Sequence, residues 1–385
     1  MIRSTVAHVD LAALQANFRA IRTFVSSEAK APKIVAVVKA NAYGHGAPRV
    51  ALALEDAGAE LLACADIEEA IVLRRAGVRA PILIFGALSV SDLDGLFEFS
   101  LTPTISTPSA ARAVQSAAAR HGRRLGSHLK IDTGMNRLGF RHDNLRRSLP
   151  ELLGSSNLAL EAVYTHFAAA DVPGDPTFDA QRTHFETACA IVNELAGPAE
   201  AGHHGRGPVA RHACNSAALL RDSRVWYDLV RPGLLLYGIV PPPLASTIPL
   251  RPVMSLTSRV VAVKGLRPGE AVGYGGHYVA EEPRSIAVIP AGYADGLDLR
   301  LSGRGHVLIR GRRVPIVGAV SMDMITVDVT DAGDVEPGDE VVIIGRQGNE
   351  VLQQIDVREM AAAIGTIPWE VVCRVGTRIE RDYGS

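Results

Sequence analysis

The feature that most limits the fold of this sequence is a series of short apolar runs separated by helix-like stretches. Val50–Ala57, Ile67–Ala76 and Phe178–Leu195 carry apolar residues at i, i+3 and i+4, the spacing of an amphipathic helix. Repeated strand-helix units predict an α/β fold with a parallel sheet, and eight units in this length match a (β/α)8 barrel of the TIM type. An open doubly wound sheet is the alternative. The eight runs are Ile34–Val38, Leu61–Ala65, Pro81–Phe85, Leu101–Ser106, Ser127–Ile131, Ala159–Thr165, Ala210–Asn215 and Leu229–Tyr237.

The sequence changes character after Pro241-Pro242-Pro243. Short runs rich in valine and isoleucine follow, cut by glycine, and the helical periodicity nearly vanishes. Turns at Pro268-Gly269-Glu270 and Pro337-Gly338-Asp339 separate these runs, which is typical of an antiparallel β domain. We therefore predict an N-terminal barrel domain over residues 1–242 and a C-terminal, mostly-β domain over residues 243–385. Residues 1–10 are candidates to pair with the second domain.

The composition narrows the range of partners. Lys and Arg number 40 against 41 Asp and Glu, so no basic field exists to attract nucleic acid or an anionic membrane surface. The chain has neither a signal-peptide core near its start nor an apolar stretch long enough to cross a membrane. Its four cysteines are far apart, which argues against zinc fingers and a disulfide scaffold. These features predict a cytoplasmic protein with a small-molecule substrate and no nucleic-acid or membrane partner.

Lys39 is the first candidate for chemistry, because it ends the apolar run Ile34–Val38. Active sites of parallel barrels form at the carboxyl ends of the strands, so a reactive side chain at this place has more weight than one elsewhere. Burial disfavours the ammonium form of lysine and frees the amine to attack an aldehyde. Alone, Lys39 is more simply interpreted as a lysine whose aliphatic stem packs at a strand end.

The ends of the seventh and eighth runs are candidates for binding a phosphate. They carry Asn215-Ser216 and Arg231-Pro232-Gly233-Leu234, and the loops after these two strands are where barrels often hold a phosphate group. Ser216 offers a hydroxyl, and the region of Gly233 can present backbone N–H groups without obstruction by a side chain. The chain has no GxxxxGK[ST] motif, which disfavours a nucleotide and leaves a ligand with a single phosphate.

Three further polar residues lie near the ends of the fifth and sixth runs: Lys130 is near the end of the fifth, Arg137 follows it and His166 follows the sixth. Alone, each fits a surface ion pair or a hydrogen-bonded core histidine. Their clustering at one end of the barrel favours a binding role.

Glycine-flanked loops in the second domain carry two tyrosines. Tyr274 lies in Gly273-Tyr274-Gly275-Gly276 and Tyr293 in Gly292-Tyr293-Ala294-Asp295-Gly296. A tyrosine hydroxyl can act as a general acid or base once a nearby cation lowers its pKa. Packing in a β-turn is an equally good interpretation of either residue. Met322-Asp323 ends another β run nearby in the sequence.

Taken together, these segments resemble the alanine racemases, a family of enzymes dependent on pyridoxal 5'-phosphate (PLP). The resemblance spans almost the whole chain and implies a (β/α)8 barrel followed by a β domain. Its most specific segments are Val37–Gly46, Asp132–Gly139, Arg231–Gly238 and Gly292–Gly296.

The resemblance also implies roles for individual residues. Lys39 would carry PLP covalently and act as one catalytic base for the D-enantiomer. Tyr274 of the partner subunit would be the second base, serving the L-enantiomer, so that a homodimer would share its active sites. Arg231 would donate to the pyridine nitrogen. The remaining cofactor-binding residues would be Tyr43, His166, Asn215, Ser216, Gly233 and Leu234.

The substrate side of the site follows from the same resemblance. Arg137 would steady the catalytic tyrosine and the substrate carboxylate, and Lys130 lies where family members often carry a carbamylated lysine. Tyr293, Met322 and Asp323 would line the entrance and the carboxylate region. The chain departs from the family at Trp369, which replaces a phosphate-binding tyrosine that also bounds the pocket for the substrate side chain. We expect that pocket to be small, and Trp369 to donate to the phosphate through its indole N–H.

Several other functions compete with alanine racemisation. A PLP-dependent racemase of another small amino acid, or a barrel-type amino-acid decarboxylase, would share most of the site. Decarboxylases of this fold pair the pyridine nitrogen with an acid, whereas this chain has Arg231. A non-enzymatic PLP-binding protein would resemble the barrel alone. A metal-dependent barrel hydrolase would need an H-x-H pair in the first strand, where this chain has His8-x-Asp10, and we predict no metal site.

Overall fold

A computed structural model describes residues 4–26, 31–88, 90, 92–197, 209–348 and 351–384 of the 385-residue chain. The chain forms two compact units. One comprises Leu14–Ala42 and Ala47–Leu250, and we call it the barrel unit. The other comprises Met1–Ala13, Tyr43–Gly46 and Arg251–Ser385, and we call it the β unit.

The barrel unit is built on eight parallel strands that neighbour one another in chain order, and the last strand pairs with the first. Two hydrogen bonds join the seventh and eighth strands: Asp228 N–H donates to Arg211 O at 3.0 Å and Arg231 N–H donates to Cys214 O at 2.8 Å. The predicted (β/α)8 barrel is therefore confirmed. Its strands are Lys33–Val37, Leu61–Cys64, Ile82–Ile84, Thr102–Ile105, Leu125–Asp132, Leu158–Tyr164, Ala210–His212 and Leu229–Val230, and a short strand Phe140–Arg141 pairs with the fifth.

Helices that alternate with these strands bury one apolar face against the sheet. Alanine and leucine dominate that face, as in the helix Pro108–Arg120, whose buried residues are four alanines and Val114. Side-chain caps fix several helix starts: Asp66 accepts from Glu69 N–H, and Thr107 accepts from Ala110 N–H. The helices are Leu11–Val25, Ala47–Asp56, Ile67–Arg75, Asp94–Glu98, Pro108–Arg120, Leu145–Ser148, Pro150–Leu153, Thr177–Ala196 and Ser216–Arg221.

The β unit contains a large, mostly antiparallel sheet. Val6–Val9 lies inside this sheet, antiparallel to Met254–Arg259 and parallel to Glu380–Asp382. Along Met254–Arg259, buried and more exposed residues alternate, as expected for a strand with one face on the core. The sheet strands are Val6–Val9, Met254–Arg259, Ala262–Leu266, Arg284–Ile289, His306–Ile309, Arg312–Val317, Ile325–Asp328, Glu340–Gln347, Gln353–Ile355 and Glu380–Asp382, and Ala271–Val272 pairs with Tyr278–Val279.

Two helices near the C-terminus were not predicted from the sequence. Val357–Ile364 begins at Asp356, whose carboxylate accepts from Arg358 N–H, and ends at Gly365 in the left-handed conformation. Pro368–Cys373 follows directly, with proline in its first turn. Both signals are visible in the sequence, but each helix is only two turns or so long, which makes its periodicity weak. Among the described residues no helix has both the length and the apolar character needed to cross a bilayer.

Candidate functional site

A left-handed turn follows Lys39 at the end of the first barrel strand. Ala40, Asn41, Ala42 and Tyr43 all have φ between 52° and 55°, although none of them is glycine. This conformation costs roughly 1–2 kcal/mol per residue for an L-amino acid. Hydrogen bonds offset part of that strain: Ala42 N–H donates to the oxygen of Val38 at 2.9 Å, and the Asn41 side chain accepts from Ala47 N–H at 2.8 Å. Such local strain is typical of functional sites.

Arg231, which follows the eighth strand, is almost fully buried inside the barrel unit. Its guanidinium donates to His212 Nδ1 at 2.9 Å, to Thr165 O at 2.8 Å and to Ala213 O at 3.1 Å. A longer contact of 3.5 Å reaches His166 Nδ1. Burial lowers the pKa of Arg231 to about 10, which leaves it protonated at neutral pH. The structure therefore brings two predicted site residues, Arg231 and His166, together.

The histidines around Arg231 are neutral, and their tautomers are fixed. Burial and the charge of Arg231 lower the pKa of His128 to about 4 and the pKa of His212 well below its usual value. A guanidinium can only donate, so His212 Nδ1 must accept and its proton is on Nε2. That N–H points to His128 Nδ1 at 3.0 Å, which places the proton of His128 on its own Nε2. Burial and nearby cations also lower the pKa of His166 well below its usual value.

Tyr164 is a buried aromatic residue of this site that was not among the candidates from the sequence. Its ring stacks on His212 with centroids 4.7 Å apart, and its hydroxyl is 3.1 Å from Thr104 Oγ1. The Arg231 guanidinium carbon lies 5.3 Å and Lys130 Nζ 5.8 Å from the ring centroid, both within cation–π range. Burial raises the pKa of Tyr164 to about 12, so the phenol stays neutral. Tyr164 directly precedes Thr165-His166, and this position at a strand end was the available signal.

Lys130 lies inside the fifth strand and is buried. Burial, followed by the positive charges of Arg137 and Arg231, lowers its pKa to about 8. Lys39 adds a smaller effect in the same direction, and Asp132 opposes it. Three cations against one carboxylate leave an excess of positive charge. That excess fits a ligand carrying phosphate and carboxylate groups, and it is the structural reason that an anionic cofactor suits this site.

The loops after the seventh and eighth strands contact each other. Ser216 Oγ accepts from Gly233 N–H at 3.0 Å and from Leu235 N–H at 3.4 Å, while Leu234 begins a short 3-10 turn beside them. Asn215 caps the helix Ser216–Arg221 by accepting from the N–H of Ala218 at 2.9 Å. A hydroxyl and clustered backbone N–H groups are suitable donors for one phosphate.

Gln181, on a neighbouring helix, ties the loop of Arg137 to the strand end of His166. Its amide nitrogen donates to Thr133 Oγ1 at 3.2 Å and to His166 O at 3.1 Å, and its side-chain oxygen accepts from Ala168 N–H. Asp132 holds the same loop by accepting from Gly134 and Asn136 N–H groups at 3.0 Å. Arg137 itself is exposed at the end of this loop. The sequence offers no local signal for Gln181, because the contacts depend on how the helix packs.

The other predicted residues belong to the β unit. Tyr274 is 78% and Tyr293 is 47% exposed, and Met322 is also exposed. Asp323 Oδ1 accepts from Arg378 at 2.6 Å.

Tyr43 also belongs to the β unit, where burial raises the pKa of its phenol. A Cβ on the adjacent Gly44 would lie 2.2 Å from Val372 O, so only glycine fits there. Trp369 is half-buried in the helix Pro368–Cys373.

Within the barrel unit, a strand-end lysine, a buried arginine beside neutral histidines and a serine-glycine pair are the features of a PLP-dependent barrel enzyme. Comparison with known proteins gives the family. The family model described as the alanine racemase N-terminal domain matches residues 9–241, and that described as the alanine racemase C-terminal domain matches residues 253–383. The chain belongs to the alanine racemase family, whose members are isomerases that depend on PLP.

Individual relatives agree with this assignment. The alanine racemase of Symbiobacterium thermophilum is 42% identical over 384 residues, which cover 100% of this chain and 98% of the relative. The crystal structure of alanine racemase from Streptomyces lavendulae superposes with a TM-score of 0.91 at 34% identity, covering 100% and 98% of the two chains. Alanine racemase from Bartonella henselae, solved with covalently bound pyridoxal phosphate, gives 0.84 at 27% identity and covers 99% of each chain. The resemblance seen in the motifs is therefore confirmed.

Proposed function

We propose that this chain interconverts L-alanine and D-alanine, using PLP held by Lys39 and two bases that act on opposite faces of the substrate Cα. The observation that carries the proposal is Arg231, whose buried guanidinium is oriented by neutral histidines. Arginine does not give up its proton under these conditions. It would therefore leave the pyridine nitrogen of bound PLP unprotonated, which would favour prompt reprotonation of Cα over decarboxylation or transamination.

Most of the proposed cofactor-binding residues belong to the barrel unit. Bound PLP would withdraw electrons from the substrate Cα and make its proton acidic. Ser216 and the N–H groups near Gly233 would bind the phosphate, and His166 would neighbour the pyridine ring. The full proposed set of cofactor-binding residues is Lys39, Tyr43, His166, Asn215, Ser216, Arg231, Gly233, Leu234 and Trp369.

Two residues would move the proton. Lys39 Nζ would take it from, or return it to, one face of Cα, serving the D-enantiomer. The hydroxyl of Tyr274 of the partner subunit would do the same on the other face for the L-enantiomer. The 78% exposure of Tyr274 in the single chain supports this assignment, because the hydroxyl is accessible to a second subunit. The working unit would be a homodimer with shared active sites.

The substrate carboxylate would be bound by Arg137, with Tyr293, Met322 and Asp323 forming the entrance. Lys130 would carry a carbamate. Its lowered pKa of about 8 makes the neutral amine available to CO2, and the product is an anion that can accept charge-assisted hydrogen bonds from Arg137. Carbamylation would thus turn an unfavourable cluster of positive charges into a paired one.

We also propose residues 1–242 as the PLP-binding domain and residues 243–385 as the β domain, with the first strand pairing with the latter. The position of Val6–Val9 in the sheet of the β unit supports this division. The substrate is alanine, the compartment is the cytoplasm, and neither nucleic acid nor a membrane is a partner. The near-neutral charge supports these last points.

The decisive test mixes two inactive variants, Lys39→Ala and Tyr274→Phe. In a dimer with shared sites, each mixed dimer contains one intact site and one doubly altered site. Random reassortment of equal amounts should restore about one quarter of wild-type racemase activity, measured as loss of optical rotation from L-alanine. No restoration would place both bases in one chain. Retained activity in Lys39→Ala alone would overturn the mechanism, and release of CO2 instead of D-alanine would favour a decarboxylase.

A further inference from the structure

Glu69 holds the chain directly after Lys39, although it is not among the residues assigned above. Ala40 N–H donates to Glu69 Oε1 at 2.6 Å, and Ala65 N–H donates to Glu69 Oε2 at 2.8 Å. Both amides lie just beyond the ends of neighbouring parallel strands, Lys33–Val37 and Leu61–Cys64. One carboxylate therefore joins two strand ends at the point where the strand pairing stops.

The backbone alone does not supply this link. At the strand ends, Val38 N–H donates to Ala63 O at 2.8 Å. After it the chain enters the left-handed turn that begins at Ala40, and the Ala40 amide is bonded to a side chain instead of a neighbouring strand. The amide of Ala40 is also the first one after Lys39. Its direction therefore fixes the peptide plane that contains Lys39 Cα, the atom that carries the Lys39 side chain.

The position of the Glu69 carboxylate is fixed by the helix that carries it. Glu69 lies in the first turn of the helix Ile67–Arg75, and its own N–H donates to Asp66 Oδ1 at 2.8 Å. That helix buries Ile67, Ala70 and Leu73 against the barrel. A half-buried carboxylate that accepts two N–H groups makes stronger hydrogen bonds than a neutral acceptor would.

We propose that Glu69 is a positioning residue for Lys39: it fixes the strained turn and thereby the direction of Lys39 Nζ. The inference rests on the proposed function, in which Nζ holds the cofactor and moves a proton at Cα. A small displacement of a reacting group is enough to slow catalysis by about two orders of magnitude. Losing the Glu69 carboxylate should therefore affect turnover and the cofactor link more than substrate binding.

The test compares two isosteric variants of the holoenzyme. Glu69→Gln keeps the size of the side chain but offers one acceptor oxygen, so one of the two amides faces an NH2 donor. Glu68→Gln, an exposed neighbour in the same helical turn, removes the same charge without touching either amide. We expect Glu69→Gln to lower kcat by about 10- to 100-fold with little change in KM, to release PLP faster and to shift the visible absorbance of the bound cofactor. Glu68→Gln should match the wild type in all of these.

Hydrogen exchange provides a readout that does not depend on activity. Peptides containing Ala40 and Ala65 should be protected in the wild-type holoenzyme and should lose protection in Glu69→Gln. Rapid exchange at Ala40 in the wild type would overturn the proposal even if the variant failed to fold. A Glu69→Gln enzyme with a lower melting temperature but wild-type kcat per bound PLP would also overturn it. An active Lys39→Ala enzyme would instead refute the proposed function, whereas an inactive Lys39→Ala with a fully active Glu69→Gln would refute only the positioning role.

Discussion

Lys130 should make the free energy of unfolding depend on pH, by an amount that follows from its lowered pKa. Its pKa falls from the usual 10.5 to about 8 on folding. At pH 7 and without CO2, the buried ammonium should therefore destabilise the folded state by about 3 kcal/mol, since each pKa unit corresponds to about 1.4 kcal/mol. Because the folded-state pKa is lowered, this penalty is complete below pH 8 and disappears as the pH rises towards 10.5. It should be about 2 kcal/mol at pH 9 and about 1 kcal/mol at pH 10.

The perturbation is Lys130→Met, which keeps much of the side-chain volume and removes the charge. In CO2-depleted buffer the variant should exceed the wild type in free energy of unfolding by up to about 3 kcal/mol at pH 7, with the difference shrinking at pH 9 and 10. Urea denaturation at fixed protein and PLP concentrations measures it, because subunit association and cofactor binding also raise the apparent stability. Lys264→Met, at an exposed position of a β strand, is the matched control and should show no such trend.

Adding bicarbonate distinguishes carbamylation of Lys130 from its lowered pKa. If Lys130 accepts CO2, adding bicarbonate near pH 8 should stabilise the wild type and leave Lys130→Met unchanged. If the difference in free energy of unfolding between the variant and the wild type stays constant from pH 7 to 10, the lowered pKa of buried Lys130 is refuted. If bicarbonate does not stabilise the wild type, or if electron density shows an unmodified Lys130, the carbamylation hypothesis is refuted. Neither result would contradict the lowered pKa of Lys130.

Three further outcomes are expected. Ser216→Ala should raise the Kd for PLP by about tenfold in a fluorescence titration, because the hydroxyl that would donate to the phosphate is lost; an unchanged Kd would contradict the phosphate role. Gly292→Ala places a Cβ 2.3 Å from the oxygen of Ser321 and should cost more than about 2 kcal/mol in thermal unfolding, whereas Gly265→Ala, with open space around it, should be nearly neutral. Lysine should be racemised at least about tenfold more slowly than alanine, and Trp369→Ala should narrow that gap; equal rates in the wild type would disprove a small pocket.

Much of the barrel site could be predicted because a parallel barrel gathers the residues that follow its strands. Ser216 and Gly233 lie 17 positions apart in the sequence, yet Ser216 Oγ and the N–H of Gly233 are hydrogen bonded. Arg231 and His166 meet for the same reason. In each case a polar residue near the end of an apolar run was the signal, since the fold determines which end of the strand carries the site.

Residues inside the strands were harder to predict. His128 and His212 lie within runs that were interpreted only as β structure, and their 3.0 Å contact depends on the register of three neighbouring strands. The left-handed turn after Lys39 is a second example. Local preference opposes this conformation in Ala40, Ala42 and Tyr43, so it exists only because surrounding contacts enforce it. Neither feature follows from periodicity or from turn propensity.

The direction of the hydrogen bonds around Arg231 limits where protons can move. Arg231 can only donate, so His212 accepts at Nδ1 and donates from Nε2, and His128 accepts at Nδ1 in turn. His212 presents an unprotonated Nδ1 to Arg231, but the lowered pKa values of His212 and His128 oppose their protonation. The histidines therefore orient the guanidinium without taking a proton from it. If Arg231 faces the pyridine nitrogen as proposed, no proton is available there from the protein, and exchange at Cα is left to Lys39 and the partner subunit's Tyr274.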